Sequence, residues 1–137
     1  MLTISGYEIF TLLHEGEHSQ VYRGSRRADG KAVVLKTLHR SIPDPEQIAR
    51  YRQEYAITQA LQQVPGVIRT YGLEQAAHRP VIVLEDYGAQ TLGEHLDQQP
   101  LAVEVFLQQA IALATILGEV HQAHVIHKDI NPANILI

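Results

Sequence analysis

The feature that most constrains this chain is a change of period near residue 88. Up to Glu85-Asp86-Tyr87-Gly88, β-branched and aromatic residues come in short runs separated by turn residues; beyond it, apolar residues recur every three or four positions. Such a chain builds a sheet first and helices second, an α+β arrangement. Strands are expected from Tyr7 to Leu13 and from Gln20 to Arg26, around the polar loop His14 to Ser19. Ala28-Asp29-Gly30 supplies the positive φ of a tight turn, and Ala32 to Leu38 follows as a third strand. Pro43 and Pro45 punctuate the approach to a helix over Glu46 to Gln63, with Tyr51, Glu54, Ile57, Thr58 and Leu61 on one face. Pro65-Gly66 breaks it. Two further strands, about Ile68 to Leu73 and Pro80 to Leu84, flank a polar turn around Gln75 to Arg79. Thr91-Leu92-Gly93-Glu94 is a capping box for a short helix. Past Pro100, a stripe of Val103, Phe106, Leu107, Ala110, Leu113, Ala114, Leu117 and Val120 marks a long central core helix. Ile135-Leu136-Ile137 is a strand-like run with no partner left in the sequence, so the domain is expected to continue.

Composition narrows the function classes. With 137 residues, 45% of them hydrophobic, there is material for one core or for two small lobes sharing one. A net charge of -4, from 11 basic and 15 acidic residues, argues against a nucleic-acid or anionic-membrane partner. The absence of cysteine removes disulfides and thiolate metal sites and fits a reducing compartment. The start, Met1 to Glu8, lacks the basic and apolar regions of a secretory signal. The longest apolar run, Ala110 to Leu117, is too short to span a bilayer. A cytoplasmic protein without membrane insertion is expected. His121, His124 and His127 recur every three residues, but their spacing crosses from helix to loop and no further ligand is evident, so a metal site is not expected there.

The chemistry concentrates at the end of the chain, in His127-Lys128-Asp129-Ile130-Asn131-Pro132-Ala133-Asn134. Read alone, this is either a loop carrying a functional carboxylate and amide or an Asn-Pro turn whose side chains bond local backbone. The segment closely resembles the catalytic loop of protein kinases, with its H-R-D-x-x-x-x-N pattern. The resemblance implies Asp129 as the catalytic base, accepting or orienting the substrate hydroxyl proton, and Asn134 as a ligand of Mg²⁺.

Other landmarks extend the resemblance over essentially the whole chain. Lys36, after Val33-Val34-Leu35, is similar to the V-A-I-K lysine that reaches the ATP phosphates, and its implied partner is Glu54, eighteen positions on. Aligned through Val21-Tyr22-Arg23-Gly24, the phosphate-covering glycine loop falls on His14 to Val21. Gly16 then keeps the second glycine, His14 replaces the first and Ser19 the third. Leu84-Glu85-Asp86-Tyr87-Gly88 resembles the hinge between the kinase lobes, which implies Leu84 as gatekeeper and backbone groups of Glu85 and Tyr87 on the adenine edge. Leu13, Val21 and Val34 would wall the adenine, Val34 standing where the family usually has alanine. The implied organisation is an N-terminal lobe over 1–84, a hinge over 85–89 and part of a C-terminal lobe over 90–137.

The departures carry consequences. Lys128 replaces the usual arginine and cannot clamp an activation-loop phosphate bidentately. Asn131 stands where serine/threonine kinases usually have a lysine near the transferred phosphate. No Asp-Phe-Gly triplet occurs, so residues 1–137 alone are expected to be inactive. The leading expectation is a bacterial-type serine/threonine protein kinase using ATP and Mg²⁺, acting on protein serine or threonine, with further domains C-terminal to this segment, as in multidomain bacterial signalling proteins. A pseudokinase or nucleotide-binding scaffold is the alternative. A small-molecule phosphotransferase is a third, but those enzymes usually have glycine where Lys128 stands.

Overall fold

A computed structural model describes residues 3–39 and 44–137. Met1, Leu2 and the expected punctuation at Pro43 lie outside the described residues. The order is β1 (Tyr7–Glu15), β2 (Ser19–Arg26), β3 (Ala32–Leu38), α1 (Pro45–Ala60), β4 (Thr70–Ala76), β5 (Arg79–Glu85), α2 (Leu92–Gln98), α3 (Val103–Gln122) and a short 3-10 turn, Pro132–Asn134. Two compact units result, 1–62 with 68–86 and 63–67 with 87–137.

In the first unit the five strands form one antiparallel sheet in the order β1-β2-β3-β5-β4, as the strand-length runs predict. Its two faces have different cover. Val33, Leu35, Val81, Val83, Ala76 and Ile4 form one core, joined by Tyr7, Ile9, Tyr22 and Tyr71. On the other face Leu38, Ile82, Leu73 and Leu84 pack with Ile48, Tyr51 and Tyr55 of α1. The helix therefore docks through positions 48, 51 and 55, the spacing of one helical face. This corrects the expected stripe: Tyr51 and Leu61 are buried, but Ile57 is exposed, because the face in contact with the sheet is turned away from it. Asp44 caps α1 in a reciprocal box with Gln47, and Pro45 occupies its first turn.

Gly24 has a specific reason to be glycine. A Cβ there would sit 2.2 Å from the Glu8 carbonyl oxygen on β1, so Gly24→Ala must push the two strands apart. We expect about 1–3 kcal/mol of destabilisation, read as a lower urea midpoint; an unchanged midpoint would refute this account of the β1–β2 contact.

The β2–β3 turn follows the Asp-Gly signal, with Gly30 at φ +68. Asp29 accepts from Arg26 Nε at 3.0 Å and Nη2 at 2.6 Å and from the Lys31 amide at 3.2 Å. Those bonds, Arg26 first, hold the Asp29 carboxyl down at about 2. A lowered folded-state value means that its contribution to stability is present above the ordinary carboxylate range and is lost as pH falls through about 2. An NMR titration should therefore place the Asp29 midpoint near 2, and Arg26→Gln should raise it toward the ordinary range, the Lys31 amide bond remaining. An ordinary midpoint in the wild type would contradict the clamp.

The β4–β5 connection differs from expectation. Ala76 pairs with Arg79, leaving a two-residue turn of Ala77 and His78, both at positive φ, 46 and 68. Two-residue hairpins need that conformation at both central positions and usually signal it with Asn-Gly; Ala-His carries no such signal.

In the second unit Thr91 caps α2 with Glu94, as predicted. Two expectations are corrected. Leu136 bridges to Thr91, the Leu92 amide donates to the Ile135 carbonyl at 2.7 Å, and Gln90 and Ile137 exchange backbone bonds. The strand-like run thus has a partner, hidden because residues 90–92 read as a helix start. In α3 the apolar stripe is largely uncovered: Val120 is buried, while Val103 is 67% and Phe106 55% exposed. Periodicity specifies a face to be covered and is silent on what covers it. Although its uninterrupted apolar run is short, α3 as a whole is long and apolar enough to cross a membrane by length and composition. Against the 63–67 segment it packs closely, since a Cβ at Gly66 would fall 2.3 Å from Ile116 Cδ1.

Candidate functional site

The first unit gathers eight of the predicted site residues on or beside one sheet face. Val21 is the cross-strand partner of Lys36, Lys36 of Ile82, and Val34 of Leu84. Direct partners in an antiparallel sheet project to the same side, so Val21, Val34, Lys36 and Leu84 share the face on which α1 packs. Leu13 lies in the register irregularity between Leu12 and His14 at the end of β1. Gly16 and Ser19 close the hairpin tip, the Gly16 amide donating to the Ser19 carbonyl at 2.9 Å.

Lys36 and Glu54 meet as expected, Nζ to Oε1 at 2.5 Å. Their side chains are 29% and 45% exposed. A pair in that much contact with water contributes at most about 1 kcal/mol to stability, so the stability gain is a weak reason for the arrangement. Tyr51, one turn before Glu54, places its ring 6.0 Å from Lys36 Nζ. Burial, reinforced by the Glu54 charge, pushes the Tyr51 phenol well above its ordinary range, so it is neutral at any physiological pH.

An ion pair that sequence reasoning missed closes this face. Arg23 grips Asp86 through Nε at 2.6 Å and Nη2 at 3.2 Å, and the Asp86 side chain is only 7% exposed. Arg23 is the partner of Val34, itself the partner of Leu84, so alternation along β2 was the available signal. The clamp fixes the end of the segment read as the hinge. Glu85 donates its amide to the Arg69 carbonyl at 2.9 Å.

In the second unit the loop after α3 is organised around Asp129. Asn131 Nδ2 donates to Asp129 Oδ1 at 2.9 Å, and Asn134 Nδ2 donates to Asp129 Oδ2 and to its carbonyl, both at 3.0 Å. The Asp129 amide in turn donates to His127 Nδ1 at 3.3 Å. With both donor bonds of Asn134 directed at Asp129, its amide oxygen points away from them, the group that a hard cation would use. Lys128, beside Asp129, is held at φ +65, a left-handed conformation that costs a lysine on the order of 1 kcal/mol. Nothing in the sequence signals that strain. Tyr87 also belongs to this unit and is 59% exposed.

Comparison with known proteins gives the family. The protein kinase domain model matches residues 7–137, and the chain belongs to the protein kinase family. It is 33% identical to the Aurora kinase of Schizosaccharomyces pombe over 136 residues, 98% of this chain and 38% of that protein. It is 31% identical to the DNA damage-responsive serine/threonine-protein kinase RqkA of Deinococcus radiodurans over 135 residues, 96% of this chain and 20% of that protein. Serine/threonine-protein kinase pkn3 of Myxococcus xanthus is 29% identical over 134 residues, 96% of this chain and 24% of that protein. The chain therefore spans well under half the length of these relatives.

Proposed function

We propose that this chain is the ATP-gripping and catalytic-loop portion of a cytoplasmic serine/threonine protein kinase, transferring phosphate from ATP to protein hydroxyls. The observation that carries the reading is the formed Lys36–Glu54 pair, at 2.5 Å, on the same sheet face as Val21, Val34 and Leu84. In this assignment Leu13, Val21 and Val34 wall the adenine, Leu84 is the gatekeeper, and backbone groups of Glu85 and Tyr87 meet the base edge. Gly16 and Ser19 cover the phosphates that Lys36 contacts. Asp129, held by two amide donors, accepts or orients the substrate hydroxyl proton. Asn134 would hold Mg²⁺ through its amide oxygen, and the bound ion would supply neutralisation of charge on the transferring phosphate. The lobes would run over 1–84 and 90–137, joined by 85–89. We read α3 as a helix of this domain and not as a membrane span.

The test is incorporation of labelled phosphate from ATP into a generic protein substrate by the full-length protein. Mg²⁺-dependent labelling of serine or threonine is the expected result, and ATP binding without transfer would favour the scaffold reading instead. That second reading draws on one observation, the survival of only Gly16 among the three loop glycines.

A further inference from the structure

The residue that departs most from the family pattern in the phosphate-covering loop is His14, at the position of the first glycine, and the assignment above gives it no role. Its backbone pairs with Val21 across β1 and β2, and Val21 pairs with Lys36 across β2 and β3. The three side chains therefore project from one face. Two strand spacings, about 10 Å at the backbone, separate His14 from Lys36. His14 and Lys36 stand on opposite sides of Val21, an arrangement that suits an extended polyanion laid across the strands.

The ring lies against the surviving glycine: a Cβ at Gly16 would come within 3.1 Å of His14 Nε2. The ring itself is exposed to solvent. The neighbouring acid is drawn the other way: Glu15 pairs with Gln20, and Gln20 with Thr37, on the face opposite Lys36. There Glu15 accepts from Gln20 Nε2 at 2.7 Å and lies 3.1 Å from His39 Nε2. An anion reaching the Lys36 face thus meets an imidazole and an ammonium, with the Glu15 carboxylate engaged behind the sheet.

We propose that His14 is a phosphate-binding residue, donating an imidazole N–H to the polyphosphate of the nucleotide whose other contact is Lys36. This rests on the nucleotide-binding reading above. An imidazole carries at least one N–H in either protonation state, so the side chain replaces part of the backbone grip that the missing glycines would have given.

The test is calorimetric titration of the full-length protein with Mg²⁺·ATP and, separately, with adenosine. His14→Ala and His14→Gly should each weaken ATP about tenfold, the size of one lost charge-assisted hydrogen bond. Adenosine affinity should stay within about twofold, because the base pocket is untouched. The inference is overturned if His14→Gly binds ATP as tightly as the wild type or more tightly, the sign of an obstructing ring, or if ATP and adenosine weaken together. A wild type that binds neither ligand would overturn the nucleotide reading and this inference with it, an outcome distinct from the others.

Discussion

Replacing Asp129 by Asn in the full-length protein should lower phosphoryl transfer about 10³-fold while leaving ATP affinity within about twofold. The geometry gives two reasons. First, in the proposed mechanism the carboxylate takes the hydroxyl proton, and an amide cannot take it. Second, both carboxylate oxygens already accept from amides, Oδ1 from Asn131 and Oδ2 from Asn134. An asparagine at 129 offers one acceptor and one donor, so in either orientation of its amide a donor faces a donor. The cost to the loop is about 1–3 kcal/mol locally, which should appear as altered exchange of the Asn131 and Asn134 side-chain amides in NMR spectra with little change in melting temperature. A variant retaining more than a tenth of wild-type activity would remove Asp129 from the mechanism.

The second large effect is expected at Lys36. Lys36→Met should reduce kcat/KM about 10²-fold or more by removing the cation that the proposed function sets against the phosphates. Unfolding free energy should fall by no more than about 1 kcal/mol, because the pair with Glu54 is partly exposed. The charge-swapped double variant, Lys36→Glu with Glu54→Lys, separates pairing from position. It restores an ion pair and should restore stability, yet it places a carboxylate where the phosphates need a cation and should remain inactive. Activity in the swapped protein would mean that the pair serves only to hold α1 on the sheet.

Much of this architecture is legible from local pattern. The first three strands, the β2–β3 turn and the cap of α2 follow from β-branched runs, Asp29-Gly30 and capping residues that act within a few positions. What escaped depends on distant neighbours. The Ala77-His78 turn takes two positive φ values without glycine or asparagine because the flanking β4–β5 pairing imposes them. Leu136 finds its bridge at Thr91, 45 positions earlier, a separation that no sequence window reports. The α3 stripe was legible as a face, but its cover was not.

The site divides the same way. Asp129 and Asn134 stand out because their chemistry fixes both residue type and spacing, whereas Lys36 stood out through the family resemblance. The Lys36–Glu54 contact was anticipated through the family resemblance, whereas Arg23–Asp86 spans 63 positions and belongs to no short motif. Lys128 shows no sign in the sequence that it carries backbone strain, since lysine is not a residue chosen for positive φ.

The central claim is that the sheet face carrying the Lys36–Glu54 pair receives the phosphates of ATP. Titrating the isotope-labelled full-length protein with Mg²⁺·ATP tests it directly. The backbone amides of Lys36 and of its cross-strand partner Val21 should shift together along one saturating curve. Resonances of Lys36 and Val21 that stay unmoved at saturating ATP would contradict the claim.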